Sequence, residues 1–292
     1  DFFFYSRHYL QLRQAAETLT AGLEAVFFNA QNNFTLQYTL LLAPLTPTDT
    51  ETEILRKIRV VSTYLDILIA RRIWNMRAID YSTMQYTMFL MMREIRGCSA
   101  DKLAELLAIK LATEDDTFRK NDRFHLHGMN GRQIHRLLAR MTDYVETQSG
   151  SITRYAEYAT RSGRNGYEIE HIWADKADRH TDEFSHPQDF GEYRNRIGDL
   201  LLLPKSFNAS YGALPYEEKL AHYFSQNLLA RSLNENCYQH NPGFLRFIEK
   251  SGLGFKPHSH FKRRDLDERQ NLYLALAEFI WNPRRLANEA AA

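Results

Sequence analysis

Apolar residues recur every three or four positions through most of the first half of the chain, which is the spacing of amphipathic helices. Three stripes show it most clearly: Ile54, Ile58, Val61, Leu65 and Leu68; Leu103, Leu106, Leu107 and Leu111; and Ile134, Leu137, Leu138, Met141 and Val145. Ser99 precedes the second stripe as a helix cap. The pattern predicts a helical bundle over residues 1–148, with a proline-rich loop at 44–49 and a charged connection at 114–130.

The pattern changes near residue 150. A polar turn at 161–166 leads into a short strand at 167–172, and the apolar run at 197–203 predicts the second strand of a hairpin. Residues 174–194 are polar and predict a long loop, and helices are expected at 217–229, near 244–250 and at 268–280. The sequence thus predicts a mainly α protein with two domains, 1–150 and 151–292.

Composition narrows the class of protein. Hydrophobic residues make up 44% of the 292 residues, which supplies a sizeable core and argues against a disordered chain. The net charge of +1 gives no global basic footprint, so nucleic-acid binding would need local patches. Cys98 and Cys237 are far apart, which argues against a zinc knuckle or a disulfide scaffold and fits a cytoplasmic protein. No apolar run approaches the roughly 20 residues of a membrane span, so no membrane partner is expected.

The predicted strand carries a Glu170-His171 pair. Neutral imidazole titrates near the working pH, so His171 suits the role of the general base that deprotonates water in phosphodiester hydrolysis. A hard ion such as Mg²⁺ or Mn²⁺ prefers oxygen ligands, so Glu170 and the amide oxygen of Asn208 suit a single-metal site. Asn195 or Asp199 would fix the second nitrogen of the histidine or lock the loop. The simpler alternative is a structural histidine on a half-buried strand.

Basic residues near these positions are candidates for phosphate contacts. Arg194 and Lys219 flank the hairpin, and residues 256–264 form the most basic stretch of the chain. In that stretch the candidates are Lys256, Lys262, Arg263 and Arg264. A solvated surface is the alternative for each of these charges.

The order of the motifs resembles the HNH-like domain known as DUF1524. The matching residues are Glu170-His171-Ile172, Asn195, Ile197-Gly198-Asp199-Leu200, Leu202-Leu203, Asn208 and Pro215-Tyr216-Glu217-Glu218-Lys219. That domain forms the C-terminal part of GmrSD-type modification-dependent restriction enzymes and of the phosphorothioation-sensing defence nuclease SspE. The core of the resemblance covers residues 167–219.

The resemblance implies a ββα-metal (HNH-like, His-Me finger) nuclease domain, with His171 as base and a divalent ion at Glu170 and Asn208. It implies cleavage or nicking of DNA, in particular phage double-stranded DNA, as part of bacterial anti-phage defence. It also implies a DUF262 sensor domain on the N-terminal side in the longer proteins. Because the sequence starts at Asp1 without Met, we expect the chain to be a piece of such a protein.

Two departures from the family pattern keep other hypotheses open. The family often has His-x-x-Pro, whereas residues 171–174 end in Ala174, and Asp199 stands where Asn is usual. An aspartate accepts hydrogen bonds but cannot donate them when it is ionised. The competing hypothesis is a non-catalytic DNA-binding or assembly module with a degenerate motif, and a third is an RNase with the same chemistry.

Overall fold

A computed structural model describes residues 1–292, and it is mainly helical with one small sheet. The chain forms two compact units, residues 1–121 with 281–292 and residues 122–280. No helix of the chain combines the length and the apolar character that a bilayer crossing requires.

The first unit is built around one long helix. Its helices are α1 (Phe2–Glu17), α2 (Glu24–Gln31), α3 (Gln37–Leu42), α4 (Glu51–Trp74), α5 (Tyr81–Ile95), α6 (Ala100–Thr113) and, returning from the end of the chain, α15 (Arg285–Ala291). Thr50 caps α4 by accepting a hydrogen bond from the N–H of Glu53, at 3.2 Å. The predicted stripe Ile54–Leu68 is buried, and α4 contacts α2, α3, α6 and α15. Burial of each large aliphatic side chain stabilises such a core by about 1.5–3 kcal/mol.

The second unit surrounds a two-stranded sheet with shorter helices. Its elements are α7 (Gly131–Gln148), α8 (Tyr155–Tyr158), β1 (Tyr167–His171), α9 (Pro187–Arg194), β2 (Leu200–Pro204), α10 (Lys205–Tyr211), α11 (Tyr216–Tyr223), α12 (Leu228–Arg231), α13 (Pro242–Ser251) and α14 (Arg263–Ile280). The strands are antiparallel, with His171 opposite Leu200 and Tyr167 opposite Pro204. The four leucines of β2 are all buried, because α7 and α10 both contact this strand.

The boundary between the units differs from the one predicted near residue 150. Helix α7 has the predicted apolar stripe, but that stripe packs on β2, α12, α13 and α14. The helix therefore belongs to the core of the second unit. A helical stripe shows that a helix buries one face, and it does not show which neighbour covers that face.

Four predicted elements have different bounds in the structure. The polar segment 174–194 contains a short 3-10 helix at Ala177–His180 and helix α9, so it is not one long loop. The predicted strand at 197–203 begins with a 3-10 turn at Ile197–Asp199. The predicted helix 217–229 is divided into α11 and α12, and the last long helix starts at Arg263.

Gly198 allows the chain before β2 to lie directly on α14. A Cβ atom at this position would lie 2.5 Å from the carbonyl oxygen of Leu266 and 2.8 Å from the backbone nitrogen of Gln270. The Gln270 side chain accepts a hydrogen bond from the Gly198 N–H at 3.0 Å, and the Tyr273 hydroxyl donates to the Leu200 carbonyl at 2.7 Å. These contacts fix the start of β2, and through the sheet they fix the end of β1.

Candidate active site

His171 is the last residue of β1, and its side chain bonds to the predicted loop residue Asn195. The distance from His171 Nε2 to Asn195 Oδ1 is 3.2 Å. Because the amide oxygen can only accept, Nε2 carries the proton in this arrangement and Nδ1 keeps its lone pair. Burial lowers the pKa of His171 to about 4, and the positive charge of Arg194 contributes to the shift. The imidazole is therefore neutral at neutral pH and able to accept a proton.

The position of Asn195 is fixed by α9 and by a segment from earlier in the chain. Asn195 follows the last residue of α9, and its carbonyl accepts a hydrogen bond from Leu126 N–H at 2.7 Å. Arg194 donates from Nε to the Trp173 carbonyl at 3.1 Å, which ties the end of α9 to the chain just after β1. Trp173 is itself buried and stacks on Phe190 of α9. The side-chain amide of Asn195 therefore contacts His171 from a segment that is held by hydrogen bonds and ring packing.

Glu170 lies on the opposite face of β1, as the alternation of a strand requires. Its carboxylate is buried and accepts a hydrogen bond at Oε1 from Lys219 Nζ, at 2.6 Å, while the Tyr223 hydroxyl lies 3.5 Å from the same oxygen. Lys219 is 0% exposed and also donates to the carbonyl oxygens of His171, at 2.9 Å, and Ile172, at 3.4 Å. Burial raises the pKa of Glu170, and the Lys219 ammonium offsets part of that rise. Lys219 was predicted to lie on a DNA-facing surface. In the structure it is buried, and its ammonium pairs with Glu170 inside the protein.

Asp199 is the second predicted loop residue, and it is 0% exposed. Its Oδ1 accepts a hydrogen bond from the Trp173 N–H at 3.1 Å, while Oδ2 has no partner. Burial raises its pKa well above the ordinary value for aspartate, and the bond from Trp173 offsets only part of that effect. Asn195 therefore holds the histidine, and Asp199 holds the backbone that follows β1.

Asn208 lies on α10, which contacts both strands of the sheet. Its Nδ2 donates to the Ile169 carbonyl at 3.3 Å, and its Oδ1 is buried without a hydrogen-bond partner. Such an orphaned amide oxygen is a suitable ligand for a hard cation. Of the Glu170 oxygens, Oε1 is the one bonded by Lys219. Glu170 and Asn208 remain the predicted ligands of a divalent ion: Asn208 offers a buried amide oxygen, whereas Oε1 of Glu170 already accepts from Lys219.

A second group of possible metal ligands lies at the start of α14. One donor atom each from His258, Asp265 and Glu268 lies within 4.8 Å of the others. His258 Nδ1 is 2.8 Å from Asp265 Oδ1. Glu268 forms ion pairs with Lys256 and Arg264, so two cations already neutralise that carboxylate. We therefore interpret these three residues as a group that stabilises the start of α14 through hydrogen bonds and ion pairs.

The basic stretch 256–264 also has its charges partly balanced. Lys256 and Arg264 pair with Glu268, and Lys262 pairs with Asp182 at 2.7 Å. The Arg263 guanidinium lies 4.4 Å from the ring centroid of Tyr193. The basic stretch of the sequence therefore forms a surface that carries both positive and negative side chains.

The structure adds a cleft that the sequence reasoning did not predict. It has a volume of about 550 Å³ and is lined by His127, Gly128, Gly131, Arg161, Glu168 and Asn195, among others. Leu126 also lines the cleft. Its segment, 124–126, is held against the turn before β2, because Ile197 N–H donates to the Phe124 carbonyl at 3.0 Å. The only sequence signal was the polar turn before β1, which contains Arg161. We name this the α7 cleft, because α7 begins at Gly131.

A comparison with protein families identifies the relationship of this site to known proteins. Residues 112–276 match the model of the C-terminal domain of GmrSD restriction endonucleases, and this range includes β1, α9, β2 and α10. The chain belongs to this family. Membership in the GmrSD C-terminal domain family implies a nuclease with DNA as its substrate, and it agrees with the resemblance carried by Glu170-His171, Asn195 and Asn208. Comparisons with curated proteins and with solved structures gave no match.

Proposed function

We propose that the chain is a metal-dependent DNA endonuclease of the HNH type, which nicks DNA in modification-dependent restriction or anti-phage defence. The observation that supports this best is the pair of His171 and Asn195. It consists of a neutral imidazole on a strand end, held by an amide 3.2 Å away, in a chain of the GmrSD C-terminal domain family. The succession of β1, β2 and α10 is consistent with a ββα-metal arrangement.

In the proposed reaction His171 acts as the general base. Nδ1 takes a proton from the attacking water, while Asn195 Oδ1 keeps its hydrogen bond from Nε2–H. This bond stabilises the imidazolium that forms and fixes the direction of the Nδ1 lone pair. Lys219 supports the same geometry, because its ammonium donates to the His171 carbonyl. The ammonium lies with Glu170 on one face of β1, and the imidazole lies on the other face.

Asn208 and Glu170 would hold the divalent ion, either Mg²⁺ or Mn²⁺. A bound divalent ion stabilises charge that develops on a phosphoryl oxygen and on the leaving oxygen. Arg194 adds a fixed positive charge near His171. Its guanidinium is anchored on the Trp173 carbonyl, so it supports the site through orientation and charge.

The resemblance to longer defence proteins supports a wider proposal about partners. In this proposal an N-terminal DUF262 domain reads a DNA modification, and phosphorothioation is one candidate because of the resemblance to SspE. The substrate is phage double-stranded DNA. The chain described here supplies the cleavage chemistry, and the sensor supplies selectivity.

Metal-dependent cleavage of supercoiled plasmid tests the nuclease. We expect conversion to open circles when Mg²⁺ or Mn²⁺ is added and no conversion with a chelator. A parallel reaction with RNA of the same sequence separates the DNA endonuclease from an RNase. DNA binding that is equal with metal and with chelator, without cleavage at any metal concentration, would contradict the proposal.

A second candidate, a DNA-binding module that does not cleave, is favoured by one observation. Glu170 is already paired with a fully buried lysine, and an ammonium next to the carboxylate opposes a second cation. The plasmid experiment decides between the two, because a binding module retains affinity without turnover.

A further inference from the structure

The α7 cleft adjoins the candidate active site. Asn195, which holds His171, lines the cleft, and so does Ile169, which lies two residues before His171 and on the same face of β1. The volume of about 550 Å³ is in the range of ligand-sized sites. A strand of substrate in this cleft would lie against Asn195, whose side chain holds the imidazole.

Positive charges lie at the cleft and near it. Arg161 lines the cleft, and Arg132 and Arg136, which are one helical turn apart, follow the lining residue Gly131 on α7. Burial lowers the pKa of the Arg136 guanidinium, and the charges of Arg132 and Arg161 lower it further. Arg136 is therefore close enough to Arg132 and to Arg161 for their charges to oppose its own. Glu168 is the acidic residue of the lining, and it is paired with Lys205 at 3.4 Å.

Folding alone does not explain this arrangement. Like charges at i and i+4 on a helix destabilise it by about 0.2–0.5 kcal/mol. Arg132 and Arg161 are exposed and form no ion pair, in contrast with Lys256, Lys262 and Arg264, whose charges are balanced by acidic neighbours. A polyanion bound in the cleft would relieve the repulsion.

We propose that the α7 cleft binds the phosphate backbone of duplex DNA beside the phosphate that is cleaved, with Arg161 and Arg132 as the main contacts. This rests on the proposed function for the identity of the substrate. It assigns the DNA-binding surface to the face of β1 that carries His171, and not to the basic stretch 256–264.

The test measures binding separately from cleavage. A fluorescent duplex is titrated with the His171→Ala protein and with the same protein carrying Arg161→Gln, Arg132→Gln or both, over a series of salt concentrations. We expect each substitution to weaken binding about tenfold at low salt and to reduce the salt slope by about one. The matched control is Arg264→Gln, which removes an exposed arginine from the other surface and should leave affinity unchanged within about twofold.

Different outcomes separate this inference from the proposed function. If the unmodified protein does not cleave DNA but Arg161→Gln weakens binding, the cleft is supported and the nuclease is not. If the unmodified protein cleaves DNA and neither Arg161→Gln nor Arg132→Gln changes the affinity of the His171→Ala protein for the duplex, the cleft assignment is overturned and the nuclease stands. Weaker binding by Arg264→Gln than by Arg161→Gln would also overturn it. Arg161→Lys serves as a conservative variant that should recover part of the affinity.

Discussion

The buried pair of Lys219 and Glu170 should be one of the main structural supports of the candidate site. Lys219→Met would leave the Glu170 carboxylate buried without its cation and would remove the charged donor from the carbonyl oxygens of His171 and Ile172. Removing one partner of a buried ion pair typically costs about 3–5 kcal/mol of folding free energy. That is a large share of the roughly 5–15 kcal/mol by which a domain is stable.

Urea unfolding followed by circular dichroism measures this cost. The matched control is Lys262→Met, which breaks the ion pair with Asp182 at 2.7 Å, where the side chains are 46% and 61% exposed. For such an exposed pair the expected loss is at most about 1 kcal/mol. If Lys219→Met does not fold, the double variant Lys219→Met with Glu170→Leu provides the test. Removing both charges should restore much of the stability.

A loss of less than about 1 kcal/mol for Lys219→Met, as expected for an exposed lysine, would refute the structural role of the pair. A stable Lys219→Met variant with weakened DNA binding would instead place this lysine on the DNA surface, as predicted from the sequence alone.

Three further predictions concern single residues of the second unit. Asp199→Asn should stabilise the protein, because burial raises the pKa of Asp199 and its ionised form is therefore disfavoured on folding. The gain should be larger at about pH 8 than at about pH 5, and urea unfolding that shows a loss of stability or no pH dependence of the gain would contradict this. Burial lowers the pKa of His135 from 6.5 to about 4, so folding stability should fall as the pH drops through that window, by up to about 3 kcal/mol. His135→Gln should flatten the fall in unfolding experiments at matched pH values, and an unchanged slope would speak against it. Asn195→Ala should slow DNA cleavage by about 10–100-fold, because the residue orients His171. Equal cleavage rates for Asn195→Ala and the unmodified protein would remove that role.

Local patterns in the sequence predicted the parts of the site that lie close to one another along the chain. The turn at 161–166 led to the strand predicted at 167–172, which the structure has at 167–171, and the pairing of His171 with Asn195 was one of two options that the chemistry left open.

Features that depend on distant parts of the chain were not predicted. Lys219 is separated from Glu170 by 49 residues, and nothing in either segment identifies the other as its partner. Arg161 and Gly131, at the start of α7, line the same cleft although they are 30 residues apart along the chain. The buried state of Asp199 depends on α14, which covers the preceding turn through Gly198. In each case the neighbour that sets the charge, the pKa or the exposure lies outside any window of local periodicity.

Cleavage of supercoiled plasmid by the unmodified protein and by His171→Ala tests the central claim most directly. Both proteins are used at matched folding, checked by circular dichroism, with Mg²⁺ or Mn²⁺ present. The proposed mechanism predicts open circles with the unmodified protein and at least about a hundredfold slower conversion with His171→Ala, since the variant lacks the base. Equal cleavage by the two proteins would contradict the role of His171, and no cleavage by either, with DNA binding retained, would contradict the nuclease itself.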